Sequence, residues 1–297
     1  MKTLLILPLW FPFLLYAQEK HPTPQMKNER YEIGWKKLAE IDGEAGEKVI
    51  ESLKDISPGL ANYIIEYAFG DIYPRTSLDL KSKEIAVVAA LTAMGNAQPQ
   101  LIVHLNAALN VGCSITEIQE VILQMSAYAG FPAAINGMLA FKKVAAERPA
   151  KGMKDQNVDK EPQNPQDKTR YEIGLQQLSV LNEDQAKLLE DAFEGISPSL
   201  ALYAIEYGYA DIASRPGLST RYRQIATIAA LAALGNAQPQ LRFHIEASLK
   251  IGITKEEIAE IMILMSVYAG FPAAINCSLA EANTCIGPVM SSTWTAS

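Results

Sequence analysis

The feature that most constrains this chain is an internal repeat of 140 residues. RYEIG occurs at Arg30–Gly34 and again at Arg170–Gly174. GNAQPQL occurs at Gly95–Leu101 and Gly235–Leu241, and YAGFPAAIN at Tyr128–Asn136 and Tyr268–Asn276. The offset is the same for each pair, so the copies align without a gap. Roughly 32 of 55 positions match between 86–140 and 226–280, enough for both copies to share one fold. A period this long is a domain, not a solenoid unit. The chain therefore divides into a first domain over 27–148 and a second over 168–290. Between them, residues 149–167 are polar and proline-bearing and read as an exposed linker.

Within each copy the hydrophobic period is helical. Tyr31 to Ile41 is apolar on one side and charged on the other. Ser57-Pro58 and Ser197-Pro198 place a capping hydroxyl before proline at the first helical position, opening a helix through about Phe69 in the first copy. Residues 80–94 predict an Ala-rich helix suited to close packing, ended by Gly95-Asn96. Pro99 begins a helix to about Val111. Ser114 with Glu117, and Thr254 with Glu257, fit the capping box. Pro132 and Pro272 begin the last long helix of each copy. No alternating strand pattern of useful length occurs. Each copy is expected to be all-α, with six or so helices and short loops.

Residues 1–17, MKTLLILPLWFPFLLYA, read as a signal peptide: Lys2, then an apolar run too short to span a bilayer, then a plausible cleavage point after Ala17. An exported chain, periplasmic or secreted, is the expectation, with no membrane association after cleavage. Export makes Cys277 and Cys285 possible disulfide partners, which their spacing alone does not establish. A net charge of −7 argues against nucleic acid as a partner. Histidines only at 21, 104 and 244 offer no clustered metal site, and no phosphate-cradling glycine loop is present.

The runs Arg75 to Glu84, GNAQPQLIVHLNAALNVG and TEIQEVILQMSAYAGFPAAIN resemble the carboxymuconolactone decarboxylase family. So do RPGLSTRYRQIA, GNAQPQLRFHIEASLKIG and TKEEIAEIMILMSVYAGFPAAIN of the second copy. The resemblance covers nearly all of both repeats. It implies an all-helical, alkylhydroperoxidase-like fold assembled as a ring of six units, hence a homotrimer of this two-unit chain. It also implies cofactor-independent acid–base chemistry on a small carboxylated substrate, with 4-carboxymuconolactone as the reference. The same superfamily includes thiol peroxidases with the signature E-x-x-C-x-x-C-x-x-x-H. Aligned on His104, its cysteine positions fall at Ala97 and Gln100; on His244, at Ala237 and Gln240. Neither pair can attack a peroxide and resolve the sulfenic acid. Peroxidase-type antioxidant activity stays an alternative at the family level, as does a non-catalytic binding or assembly role.

His104 and His244 are the leading candidates for proton transfer, against the alternative of hydrogen-bonded core histidines. Glu84, whose counterpart is Gln224, is placed to orient His104 or relay its proton, or else is a solvated first-turn carboxylate. Arg75 and Arg215, in matching loops, are candidate clamps for a substrate carboxylate, or partners of Asp71 and Asp211. Glu66 and Glu206 face a polar pocket or pair with those arginines. Tyr128 and Tyr268 offer a phenol to an enolate oxygen, or serve as packing.

Overall fold

The computed structural model describes residues 29–156 and 167–286. The signal segment and the centre of the linker lie outside the described residues, as does the side chain of Cys285. Among the described residues the structure is helical and without strands. The first repeat runs α1 (Glu29–Ile41), α2 (Glu44–Leu53), α3 (Pro58–Tyr63), α4 (Leu80–Met94), α5 (Gln98–Asn110), α6 (Ile115–Tyr128) and α7 (Phe131–Glu147). The second repeats it as α8 (Arg170–Leu181), α9 (Gln185–Phe193), α10 (Pro198–Tyr203), α11 (Thr220–Leu234), α12 (Gln238–Lys250), α13 (Lys255–Tyr268) and α14 (Phe271–Ile286).

The two repeats are joined through α4 and α11, which lie against each other at the centre of one continuous core. Both are buried along most of their length, and Ala86, Ala89, Ala90, Ala226, Ala229 and Ala230 are fully covered. Small side chains let two helix backbones approach closely, so the alanine content that predicts a helix also creates the seam. Polar contacts across the seam occur in reciprocal pairs. Arg75 Nε bonds both carboxylate oxygens of Glu260 at 3.0 and 2.9 Å, and Arg215 Nε bonds Glu120 at 2.8 and 3.0 Å. The Tyr67 and Ser266 hydroxyls meet at 2.6 Å, as do those of Tyr207 and Ser126.

The capping boxes at Ser114–Glu117 and Thr254–Glu257 form as expected. Two other expectations are corrected. Ser57 and Ser197 precede proline as predicted, but neither hydroxyl makes a capping bond. The helices they open continue as π-helices over Ile64–Ile72 and Ala204–Ala213. This wider segment packs on α1, or on α8, at a backbone approach that only glycine permits. A Cβ on Gly34 would sit 2.0 Å from the Ile65 carbonyl oxygen, and one on Gly174 2.4 Å from that of Ile205. The arginine of the same RYEIG motif clamps the other end, Arg30 Nε to Asp71 at 2.8 Å and Arg170 Nε to Asp211 at 3.0 Å. At the start of the linker, Pro149–Lys151 form a short helical turn, residues 149–154 are exposed, and Asp155 folds back to pair with buried Arg148 at 2.7 Å.

Candidate functional site

The site in the first repeat is built from α4, α5 and the end of the π-helix. The Asp79 side chain accepts the Ser82 N–H at 2.9 Å and fixes the first turn of α4. This orients Glu84 fully into the core, not into solvent. Gly95, at φ 67°, ends α4 and returns the chain into α5, which brings His104 back onto Glu84. His104 Nδ1 lies 2.9 Å from Glu84 Oε2. The Tyr73 hydroxyl donates to Glu84 Oε1 at 2.6 Å and meets the Tyr268 hydroxyl at 2.8 Å. Tyr268, from the second repeat, sets its ring edge-on to His104 with 4.9 Å between centroids. Burial pulls the imidazole toward the neutral form, but the adjoining Glu84 carboxylate outweighs it, and the His104 pKa is raised. Burial, with Glu84 and Asp42 adding to it, holds Tyr268 as a phenol.

His104 and Tyr268 border a cavity of about 520 Å³. Its remaining wall is mainly apolar, with Leu38, Ile50, Leu53, Phe69 and Leu91 among its residues, and it contains no Lys or Arg. A hollow of this size suits a small organic acid or lactone. With Glu84 holding Nδ1, Nε2 is the imidazole nitrogen left for a ligand.

The second repeat keeps the scaffold and loses the charges. His244 Nδ1 lies 2.9 Å from Gln224 Oε1, and its Nε2 is 3.3 Å from the Tyr128 hydroxyl. Tyr73 is replaced at the aligned position by Ala213, and Asp42 by Asn182. With no carboxylate beside it, burial alone drives the His244 pKa down to about 3. Phe243 stands where the first repeat has Val103, edge-on to His244 at 4.9 Å, and Phe193 stands in place of Leu53. A hollow of about 30 Å³, room for one water, lies beside Gln224 and Tyr128, and His244 does not border it. Because the folded chain refuses this proton, His244 costs stability as pH falls from about 6.5 toward about 3, where the unfolded chain binds it. The expected outcome is that His244→Gln loses stability less steeply over that range, read by denaturation at successive pH values.

The sequence candidates separate accordingly. His104, Glu84 and Tyr268 come together at the cavity. His244 and Tyr128 meet at the matching place in the second repeat. Each tyrosine serves the histidine of the other copy, which reading either repeat alone does not show. Arg75 and Arg215 do not border the cavity: they bond Glu260 and Glu120 across the seam, and not Asp71 and Asp211. Glu66 and Glu206 are also not at the cavity, and their arginine partners are Arg30 and Arg170, at 3.8 and 3.2 Å. Two site residues escape the sequence reading, Tyr73 and Asp42. The signal lay in the aligned copies, where both change along with Glu84.

The carboxymuconolactone decarboxylase family model matches residues 58–143 and 198–281. A 4-carboxymuconolactone decarboxylase of Acinetobacter baylyi is 33% identical over 109 residues, 36% of this chain and 81% of that protein. A nitrosuccinic acid decarboxylase of Metarhizium robertsii is 29% identical over 101 residues, 34% of this chain and 66% of that protein. In fold, the chain is similar to a solved gamma-carboxymuconolactone decarboxylase subunit from Burkholderia xenovorans. The TM-score is 0.52 at 20% identity, over 88% of this chain and 99% of that one. Two family domains in one polypeptide, each carrying the histidine-bearing helix at the matched place, make this chain a member of the carboxymuconolactone decarboxylase family.

Proposed function

We propose that this protein is a decarboxylase acting on a small carboxylated, enolisable substrate by acid–base chemistry of its own side chains, in the first repeat. The observation that carries this reading is the cavity of about 520 Å³ with His104 on its border and Glu84 bonded to His104 behind it. Loss of CO2 leaves an electron pair that must pass into a conjugated carbonyl. An imidazolium held by Glu84 supplies a hydrogen bond to the developing enolate oxygen, where charge appears only as the bond breaks. Tyr268, whose hydroxyl is linked to Tyr73, borders the same space. Decarboxylases among the relatives support the reaction class. The test is CO2 release from carboxymuconolactone and related unsaturated lactone acids by the purified chain; no release from any of them removes the reading.

The peroxidase alternative gains no support from the site. Ala97 and Gln100 border the cavity where that signature needs thiols. Burial raises the Cys113 thiol, and raises Cys277 to about 11, so neither is a thiolate near neutrality. Export and a three-chain ring belong to the same proposal. The ring is supported by the exposed apolar row Phe131, Ile135 and Leu139 on α7, matched by Phe271 and Ile275 on α14. Light scattering is expected to give three chains per particle, and a monomer contradicts the ring.

A further inference from the structure

One acidic group bordering the cavity is unused by this mechanism. Asp42 closes the end of α1, where Gly43, at φ 54°, lets the chain turn sharply into α2. Asp42 is 5% exposed and borders the same cavity as His104. Its Oδ1 has no hydrogen-bond partner. Removing a carboxylate from water without a partner is costly, so such a group either finds a cation or keeps its proton. The charged and titratable groups that act on it are His104 and Glu84, and its own charge is felt at Tyr73 and Tyr268. At the aligned position in the second repeat, Asn182 is a local turn residue whose side chain accepts the Asp184 N–H at 3.0 Å. An unpartnered buried acid thus occurs in the copy whose histidine borders the cavity, and an amide in the other copy.

We propose that Asp42 is a second proton-transfer group of the first-repeat site, which delivers a proton to the substrate carbon from which CO2 has left. This rests on the decarboxylase reading above. The substrate carboxylate departs as CO2, and its bonding pair enters the conjugated system as an enolate whose oxygen is held by His104. The enolate carbon then takes the Asp42 proton, forming the new C–H bond and leaving Asp42 as carboxylate. Asp42 regains a proton from water, so the sum is substrate anion plus one proton giving product and CO2. The division of labour follows from acid strength. The pairing with Glu84 that suits His104 to holding an oxygen anion also makes it a weaker acid. Burial and the Glu84 charge, against the pull of His104, bring Asp42 to about 7, where a group both gives up and recovers a proton readily near neutrality.

The experiment compares the intact chain with Asp42→Asn, a change to the residue the second repeat already carries. Turnover is expected to fall about 100-fold or more with KM little changed, since general acid catalysis contributes on that order. The fall in kcat as pH rises through about 7 should disappear from what activity remains. The melting midpoint is not expected to drop, because an unpartnered acid has been removed. Infrared difference spectra need no substrate. In the difference between wild type and variant, the band of a protonated carboxylic acid should be present at about pH 6, above the range where ordinary carboxyl groups titrate, and vanish by about pH 9. A variant with unchanged turnover and pH profile overturns the role, as does a wild-type protein without that band. The two failures are distinguishable: an active wild type with an indifferent variant removes Asp42 alone, whereas an inactive wild type removes the decarboxylase reading with it.

Discussion

Replacing His104 by glutamine is expected to lower decarboxylation about 100-fold or more, while the same change at His244 leaves it within about threefold. Both histidines occupy one position of a repeated motif, and the sequence separates them by Glu84 in the first copy against Gln224 in the second. The reason is in what surrounds them. His104 has a carboxylate at 2.9 Å and an adjoining cavity; His244 has an amide at the same distance, and Phe243 lies against its ring. An amide orients an imidazole but does not raise its proton affinity, so burial decides the protonation state. Steady-state rates of the two variants, on whichever lactone acid the wild type turns over, check this. Equal losses from both changes would show two working sites per chain and contradict the assignment.

Glu120→Ala is expected to destabilise the protein by about 3–5 kcal/mol, the cost of leaving a buried cation without its partner. The Glu120 side chain is 4% exposed and receives two guanidinium groups of the second repeat, Arg215 at 2.8 Å and Arg223 at 2.9 Å. Arg223 is itself buried, and its Nε has no partner, so Gln124 Oε1 and the Arg215 carbonyl oxygen are what remain to it once Glu120 is gone. The reciprocal Arg75→Ala is expected to cost less, about 1 kcal/mol, because Arg75 is roughly half exposed and Lys83 stays 3.8 Å from Glu260. Urea denaturation of both variants gives the comparison. A loss below about 1 kcal/mol for Glu120→Ala would mean that these charges do not hold the repeats together.

Much of the fold was legible because its rules are local. Proline at the first turn, glycine after the last, and a hydroxyl three residues before a glutamate set helix boundaries from within one segment. The π-helix was not legible. Its wider turn is stabilised by the approach of α1 at Gly34, a contact made by residues thirty or more positions apart. Half of the site was readable for a related reason. His104 and Glu84 lie on consecutive helices joined by a short turn, so their meeting is nearly a local event. Arg75 and Arg215 misled because chemistry alone does not say whether a loop arginine meets a ligand or a neighbouring helix; their partners, Glu260 and Glu120, are set by how the repeats dock. Tyr268 reaches His104 by the same docking. Asp42 was overlooked because an acid at a helix end ordinarily faces water, and only the packing of α1 and α2 over the cavity buries it.

The central claim is that duplication left one proton-transfer site and one imidazole retained as packing. The most direct measurement is an NMR titration of the histidine ring resonances, assigned with the His104→Gln and His244→Gln variants. His104 is predicted to titrate above the ordinary value of about 6.5, and in a Glu84→Gln background to fall below it. His244 is predicted to stay neutral down to about pH 4. Two rings titrating together, or a His104 indifferent to the loss of Glu84, would contradict the account.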